Sequence, residues 1–142
     1  MSAPVISASL VKELRDETGA GMMDCKRALA ETGGDIEAAR VLLRERGMAS
    51  AAKREGRSTT EGLVGYRISD LHGTMVGVGC ETEPVSNNDE FQSFAKKVLD
   101  AVDKAGTAAV EQLEEERIEL VAKLGENIVV SPPARFEKVD GG

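Results

Sequence analysis

The 142-residue sequence predicts an α+β protein: an N-terminal bundle of three short helices, then a small antiparallel sheet packed with helices. Three observations predict it. Apolar residues recur at helical spacing up to Gly47. The period then falls to two on both sides of Ser69-Asp70-Leu71-His72-Gly73, which is the pattern of a β-hairpin. Beyond the hairpin, Phe91, Phe94, Ala95, Val98, Leu99 and Val102 fall on one helical face, the strongest such stripe in the chain.

The elements follow in order. Leu10, Val11 and Leu14 define a first helix, with Ser7 or Ser9 as its cap. It stops at Thr18-Gly19-Ala20-Gly21, where glycine supplies backbone freedom. A second helix runs from about Met23 to Glu31 and closes at Gly33-Gly34. Asp35 caps a third, which places Ile36, Ala39 and Leu43 on one face and is expected to end at Gly47. A core this small implies marginal stability for the bundle alone. The polar stretch from Ala49 to Thr60 reads as a helix end running into a linker. Val64, Tyr66 and Ile68 then alternate along one strand, and Val76, Val78 and Cys80 along the next. Asn87, Asn88 and Asp89 all offer caps for the Phe91 helix. Thr107 opens another helix with Val110, Leu113, Leu120, Val121 and Leu124 inward and Gly125 past its end. Ile128, Val129 and Val130 form a third strand broken by Pro132-Pro133, and extended structure resumes from Ala134 to Val139. Asp140-Gly141-Gly142 reads as a loop end.

Composition narrows the class. Hydrophobic residues make up 41% and charged residues 30%, the profile of a soluble globular protein. No apolar run approaches the roughly 20 residues that cross a bilayer. The N-terminus lacks a basic region followed by an apolar core, and its early acids argue against a transit peptide, so a cytoplasmic site of action is expected. Cys25 and Cys80 stand far apart with no metal-ligand spacing and read as reduced thiols. The net charge of −7 is uneven: ten basic and nine acidic residues lie up to Arg57, and eight basic against sixteen acidic beyond it. An acidic second half repels a phosphate backbone, which argues against nucleic acid as a direct partner.

Covalent chemistry has no visible seat. The single histidine, His72, falls in the expected hairpin turn among polar neighbours and reads as a solvated turn residue. The glycine-rich TGAGMMDCK lacks the spacing of a phosphate loop and follows a helix rather than a strand. Glu114-Glu115-Glu116 reads as a solvated helix face. No metal or cofactor is implied.

Exposed apolar residues in a glycine-hinged loop carry more meaning than a helical stripe. Met22 and Met23 follow Gly19-Ala20-Gly21, so at least one is placed to point away from the bundle and adapt to a partner surface. The alternative is that both seal the core.

Four segments carry a family resemblance. LVKELRDETGAGMMDCKRALA (10–30), GGDIEAARVLLRERG (33–47), CETEPVSNNDEFQSFAKKV (80–98) and VAKLGENIVV (121–130) resemble elongation factor Ts, in order and at family-like spacing. The resemblance implies a ubiquitin-associated-like three-helix domain over 1–54. Over 55–142 it implies the first α+β subdomain of the core, the second being absent from this sequence. It also implies a partner, elongation factor Tu, and a mechanism. Thr18, Gly19, Ala20, Gly21, Met22 and Met23 map onto the segment that packs on the partner's G domain. Thr82, Glu83, Pro84 and Val85 map onto a loop, normally Thr-Asp-Phe-Val, that intrudes near magnesium and phosphates and loosens GDP.

Such exchange needs no covalent step. A factor that binds the nucleotide-free GTPase better than the loaded one weakens nucleotide binding reciprocally. Disturbing the magnesium ligands removes much of the nucleotide's hold. The departure lies at Glu83-Pro84. Glu83 keeps the charge on a longer arm, whereas Pro84 forgoes an aromatic wedge whose burial contributes roughly 1.5–3 kcal/mol. A plain strand-ending turn is the other reading of this segment. Phe91 and Phe94 belong to the core. The alternative function is an interaction module that binds elongation factor Tu, or another protein, through its three helices without exchange.

Overall fold

The computed structural model describes residues 5–139. The expected loop end at Asp140-Gly141-Gly142 lies outside the described residues. The chain divides into two compact units, Met1–Lys53 and Arg54–Gly142.

The first unit contains α1 (Ala8–Thr18), α2 (Met22–Glu31) and most of α3 (Ile36–Arg54). Ser7 caps α1, its Oγ accepting the Leu10 amide at 3.2 Å. At the other end Gly19 takes φ 69°, a left-handed conformation that glycine adopts without steric cost. Asp35 Oδ1 accepts the Ala38 amide at 3.2 Å at the start of α3. Val11, Leu14, Cys25, Ala28, Leu29 and Ala39 are buried together, with Ile36 and Leu43 packed against them. One boundary departs from the sequence expectation: α3 continues through Gly47 to Arg54. An interior glycine costs only about 1 kcal/mol against alanine. The nearby Ala49, Ala51 and Ala52 are strong helix formers, and Gly47 is not among the positive-φ glycines. The first part of the expected linker is therefore helical.

The second unit is a four-stranded antiparallel sheet with helices on one face. Its strands are β1 (Glu61–Ile68), β2 (His72–Cys80), β3 (Val129–Val130) and β4 (Ala134–Glu137). β2 is central, pairing β1 along one edge from Ile68↔Gly73 to Glu61↔Cys80. β3 and β4 share its other edge, at Gly79↔Val129 and at Gly73↔Phe136. Pro132 and Pro133, which cannot extend a ladder, separate the two short strands.

The helices are α4 (Glu83–Ser86), α5 (Asp89–Ala105), a 3-10 helix (Thr107–Leu113) and α6 (Glu114–Leu124). Of the three candidate caps, Asn88 starts α5: its Oδ1 accepts the amides of Glu90 at 2.9 Å and Phe91 at 3.1 Å. Phe91, Phe94, Val98 and Val102 of α5 are buried, as are Thr74, Val76, Val78 and Cys80 of β2. The helix crosses close to Gly65, where an added Cβ would sit 3.4 Å from Leu99. That close approach settles which alternating set of β1 is covered. Leu63, Gly65 and Arg67 lie toward the helices, while Val64, Tyr66 and Ile68 face outward with Met75 and Phe136, all more than half exposed. The segment opened by Thr107 is a 3-10 turn before it becomes α6. Arg117 of α6 donates to the Ile128 carbonyl at 2.8 Å and pairs with Glu114 at 2.5 Å, fixing the approach to β3.

Candidate functional site

The two sequence-derived segments lie in different units. In the first, Thr18 is the last residue of α1; its hydroxyl donates to the Leu14 carbonyl at 2.7 Å and accepts the Ala20 amide at 3.2 Å. Gly19 turns the chain, Ala20 packs against the bundle core, and Gly21 is the N-cap of α2. Beneath this turn Cys25 is buried, its Sγ 3.7 Å from the Ala20 carbonyl, and burial pushes its thiol pKa up. The hinge is therefore a braced three-residue corner. Met22 and Met23, the first residues of α2, are 56% and 58% exposed. Neither seals the bundle, and together they form an apolar pair on a polar helix start.

In the second unit Thr82 is the N-cap of α4, and Glu83, Pro84 and Val85 lie in its single helical turn, which follows directly on the end of β2. Pro84 occupies its first turn, where proline's missing N–H would have no helical partner anyway. Ser86 and Asn87 amides close the turn on the Thr82 and Glu83 carbonyls at 3.3 and 3.1 Å. Glu83 and Pro84 are exposed and Val85 is half-buried.

The base of this turn is held by residues that sequence patterns do not point to. Glu126 Oε1 accepts the amides of Glu81 at 3.1 Å and Thr82 at 3.0 Å, and Oε2 accepts the Thr82 hydroxyl at 2.5 Å. In return, Glu81 Oε2 accepts the Asn127 amide at 2.9 Å. Asn127 is buried, and its Nδ2 donates to the carbonyls of Glu55 and Arg57 at 3.2 and 2.9 Å. Below, the buried Cys80 donates through Sγ to the Thr82 carbonyl at 3.3 Å, and burial, then the Glu126 charge, pushes its thiol pKa up. These residues lie within the segments CETEP and GENIVV that carry the resemblance, but periodicity and motif give no sign that they meet.

His72 departs from expectation. It opens β2 half-buried, with Nε2 2.7 Å from Asp103 Oδ1 and Nδ1 3.5 Å from Ser69 Oγ. The Ser69 hydroxyl is bound to the turn itself: it donates to the His72 carbonyl at 3.1 Å and accepts the amides of Leu71 and His72. The trio closes the hairpin and ties it to α5 beside an open pocket of about 340 Å³ lined by Ile68, His72 and Phe136. Glu114 and Glu116 of the acid run pair with Arg117 and Lys97. Among the described residues no set of three or more His, Cys, Asp or Glu is placed to hold a metal ion. No helix among them is long and apolar enough to cross a membrane.

These features define a class: a helical bundle and a sheet-helix unit, each presenting a short exposed segment on a hydrogen-bonded frame. Within that class the chain is similar to Elongation factor Ts. The relatives include those of Escherichia coli (strain K12 / DH10B), Escherichia coli O157:H7 (strain EC4115 / EHEC) and Shigella boydii serotype 18 (strain CDC 3083-94 / BS512). Each is 48% identical over 136 residues, covering 93% of this chain. The chain spans 48% of the length of each of these relatives. The resemblance read from the four segments thus extends along nearly the whole sequence. No protein-family model matches the chain.

Proposed function

We propose that this chain is the N-terminal part of an elongation factor Ts, a cytoplasmic guanine-nucleotide exchange factor that promotes GDP release from elongation factor Tu. The observation that carries this reading is the exposure of Met22, Met23, Glu83 and Pro84 within a chain 48% identical to Elongation factor Ts along 93% of its length. In this reading the first unit is the ubiquitin-associated-like domain and the second the first core subdomain.

Met22 and Met23 dock on the GTPase. Methionine suits that task because its unbranched thioether side chain conforms to a partner surface. The turn carrying Glu83, Pro84 and Val85 enters the magnesium and phosphate region. There Glu83 would set negative charge against the phosphates and disturb the ligands of the magnesium ion that neutralises them. The step is non-covalent and uses no cofactor, nucleic acid or membrane. Its energy is the difference in the chain's affinity for loaded and empty GTPase.

Calorimetry of this chain against both forms of elongation factor Tu tests the linkage. Binding to the nucleotide-free form at least about tenfold tighter than to the GDP form is expected. Equal affinity for the two contradicts exchange.

One observation favours a second reading. Pro84 stands where the family pattern has an aromatic residue, and its small exposed ring cannot fill an aromatic's place. On that reading the chain binds elongation factor Tu without exchanging nucleotide, and the two affinities are equal.

A further inference from the structure

We propose that Glu126 is the positioning residue of the nucleotide-release segment, its carboxylate latching the base of the Thr82–Val85 turn so that Glu83 and Pro84 stand outward. The proposal rests on the exchange reading above.

Thr82 is the N-cap residue of α4, and an N-cap threonine ordinarily turns its hydroxyl onto the helix's own free amides. Here Thr82 makes no such side-chain cap. Its hydroxyl goes instead to Glu126 Oε2 at 2.5 Å, while Glu126 Oε1 receives the two amides that lead into the turn, at 3.1 and 3.0 Å. One side chain therefore fixes the backbone leading into Thr82 and also its χ1. Hydrogen bonds to an ionised acceptor are the strong kind, and three converging donors set a direction as well as a distance.

The latch is reciprocal. Glu81, whose amide Glu126 holds, accepts the amide of Asn127 at 2.9 Å, so each segment grips the other. Asn127 is in turn anchored on the Glu55 and Arg57 carbonyls. The frame beneath the turn is thus the end of β2 cross-tied to the segment before β3. Neither Glu126 nor Asn127 needs to reach the nucleotide. Their part is to keep a four-residue helix, too short to be stable by itself, from fraying away from its presented pose. Of the two, Glu126 contacts the backbone leading into the turn, and its side chain can be altered without opening the buried Asn127 site.

Two substitutions and two readouts test this. In the free chain, Glu126→Ala should speed amide hydrogen exchange at Glu81 and Thr82 by at least about tenfold, the loss of charged-acceptor hydrogen bonds. Amides of α5 and of β2 before Cys80 should keep their protection. Against GDP-loaded elongation factor Tu, Glu126→Ala should lower the saturating GDP release rate by about tenfold, with the half-saturating concentration changed less than about threefold. Glu126→Gln, whose amide oxygen can still accept both backbone amides, should restore most of the protection and of the rate. Unchanged protection at Glu81 and Thr82 in Glu126→Ala overturns the latch. Lost protection with an unaltered release rate overturns its part in exchange. An unsubstituted chain that leaves GDP release unchanged sinks the exchange reading itself, and amide exchange then decides the latch alone.

Discussion

Asp103, near the end of α5, holds the start of β2 through His72, with Asp103 Oδ1 2.7 Å from His72 Nε2. The same carboxylate accepts the Thr74 hydroxyl at 2.9 Å and pairs with Arg67 at 3.3 Å. Hydrogen bonds from Thr74, then His72 and Arg67, hold its pKa below the usual carboxylate range. A carboxyl depressed in the fold stabilises it above its unfolded-state pKa, about 3.9, and that contribution is lost as pH falls through the lower folded value. Asp103→Asn should therefore lower the melting temperature at neutral pH and flatten the acid decline below about pH 4. Thermal melts across that range, followed by circular dichroism, check both effects.

The two sides of the sheet should answer very unequally to substitution. Phe91 is fully buried beneath it, so Phe91→Ala should cost about 3–5 kcal/mol. Val64 is 70% exposed on the outer face, and Val64→Thr keeps a β-branched side chain, so its cost should stay within about 0.5 kcal/mol. Urea unfolding of the two variants measures the contrast.

Gly62 has φ 144°, and an added Cβ would collide with the Val78 carbonyl and lie 2.8 Å from Gly79 Cα. Gly62→Ala should destabilise the hairpin by roughly 1–3 kcal/mol. Gly73 has nothing within 4 Å of an added Cβ, so Gly73→Ala should be tolerated. Chemical denaturation of both variants, which add the same methyl group, separates strain from composition.

The helical parts of this fold were legible because their causes are local. The Phe91 stripe, a cap among Asn87, Asn88 and Asp89, and a stop over Thr18-Gly19-Ala20-Gly21 each involve residues within a turn or two of one another. Gly47 misled because a lone glycine ends a helix only where its neighbours also disfavour one, and Ala49, Ala51 and Ala52 favour continuation. The hairpin's period was visible, but not its covered face, which is set by α5 passing over Gly65. The solvated reading of His72 failed for the same reason, since Asp103 lies 31 positions away. At the candidate site, Met22 and Met23 were singled out as an apolar pair after a glycine-hinged turn, and Glu83 and Pro84 through the family resemblance. Glu126 was not, because it meets Glu81 across 45 positions and no periodicity reports such a pair.

If the exposed Met22–Met23 pair docks on the GTPase as proposed, replacing it should affect binding alone. Met22→Ala with Met23→Ala removes apolar contact from residues that the bundle core does not use. The half-saturating concentration for GDP release should rise by about tenfold while the saturating rate stays close to the unsubstituted value. A titration of release rate against chain concentration resolves the two.

Restoring the aromatic should act in the other direction. Glu83→Asp with Pro84→Phe returns a wedge to an exposed first-turn position of α4. The saturating release rate should rise by about tenfold, as the roughly 1.5–3 kcal/mol of a buried phenylalanine becomes available to the exchange intermediate. Single-turnover release kinetics at saturating chain concentration measure it.

The most direct measurement is stopped-flow release of a fluorescent GDP from elongation factor Tu, with and without this chain. An acceleration that saturates with chain concentration and reaches at least about tenfold is expected for a factor that binds the empty GTPase better than the loaded one. A release rate that stays at its spontaneous value under saturating chain would contradict exchange and leave the chain a binding module.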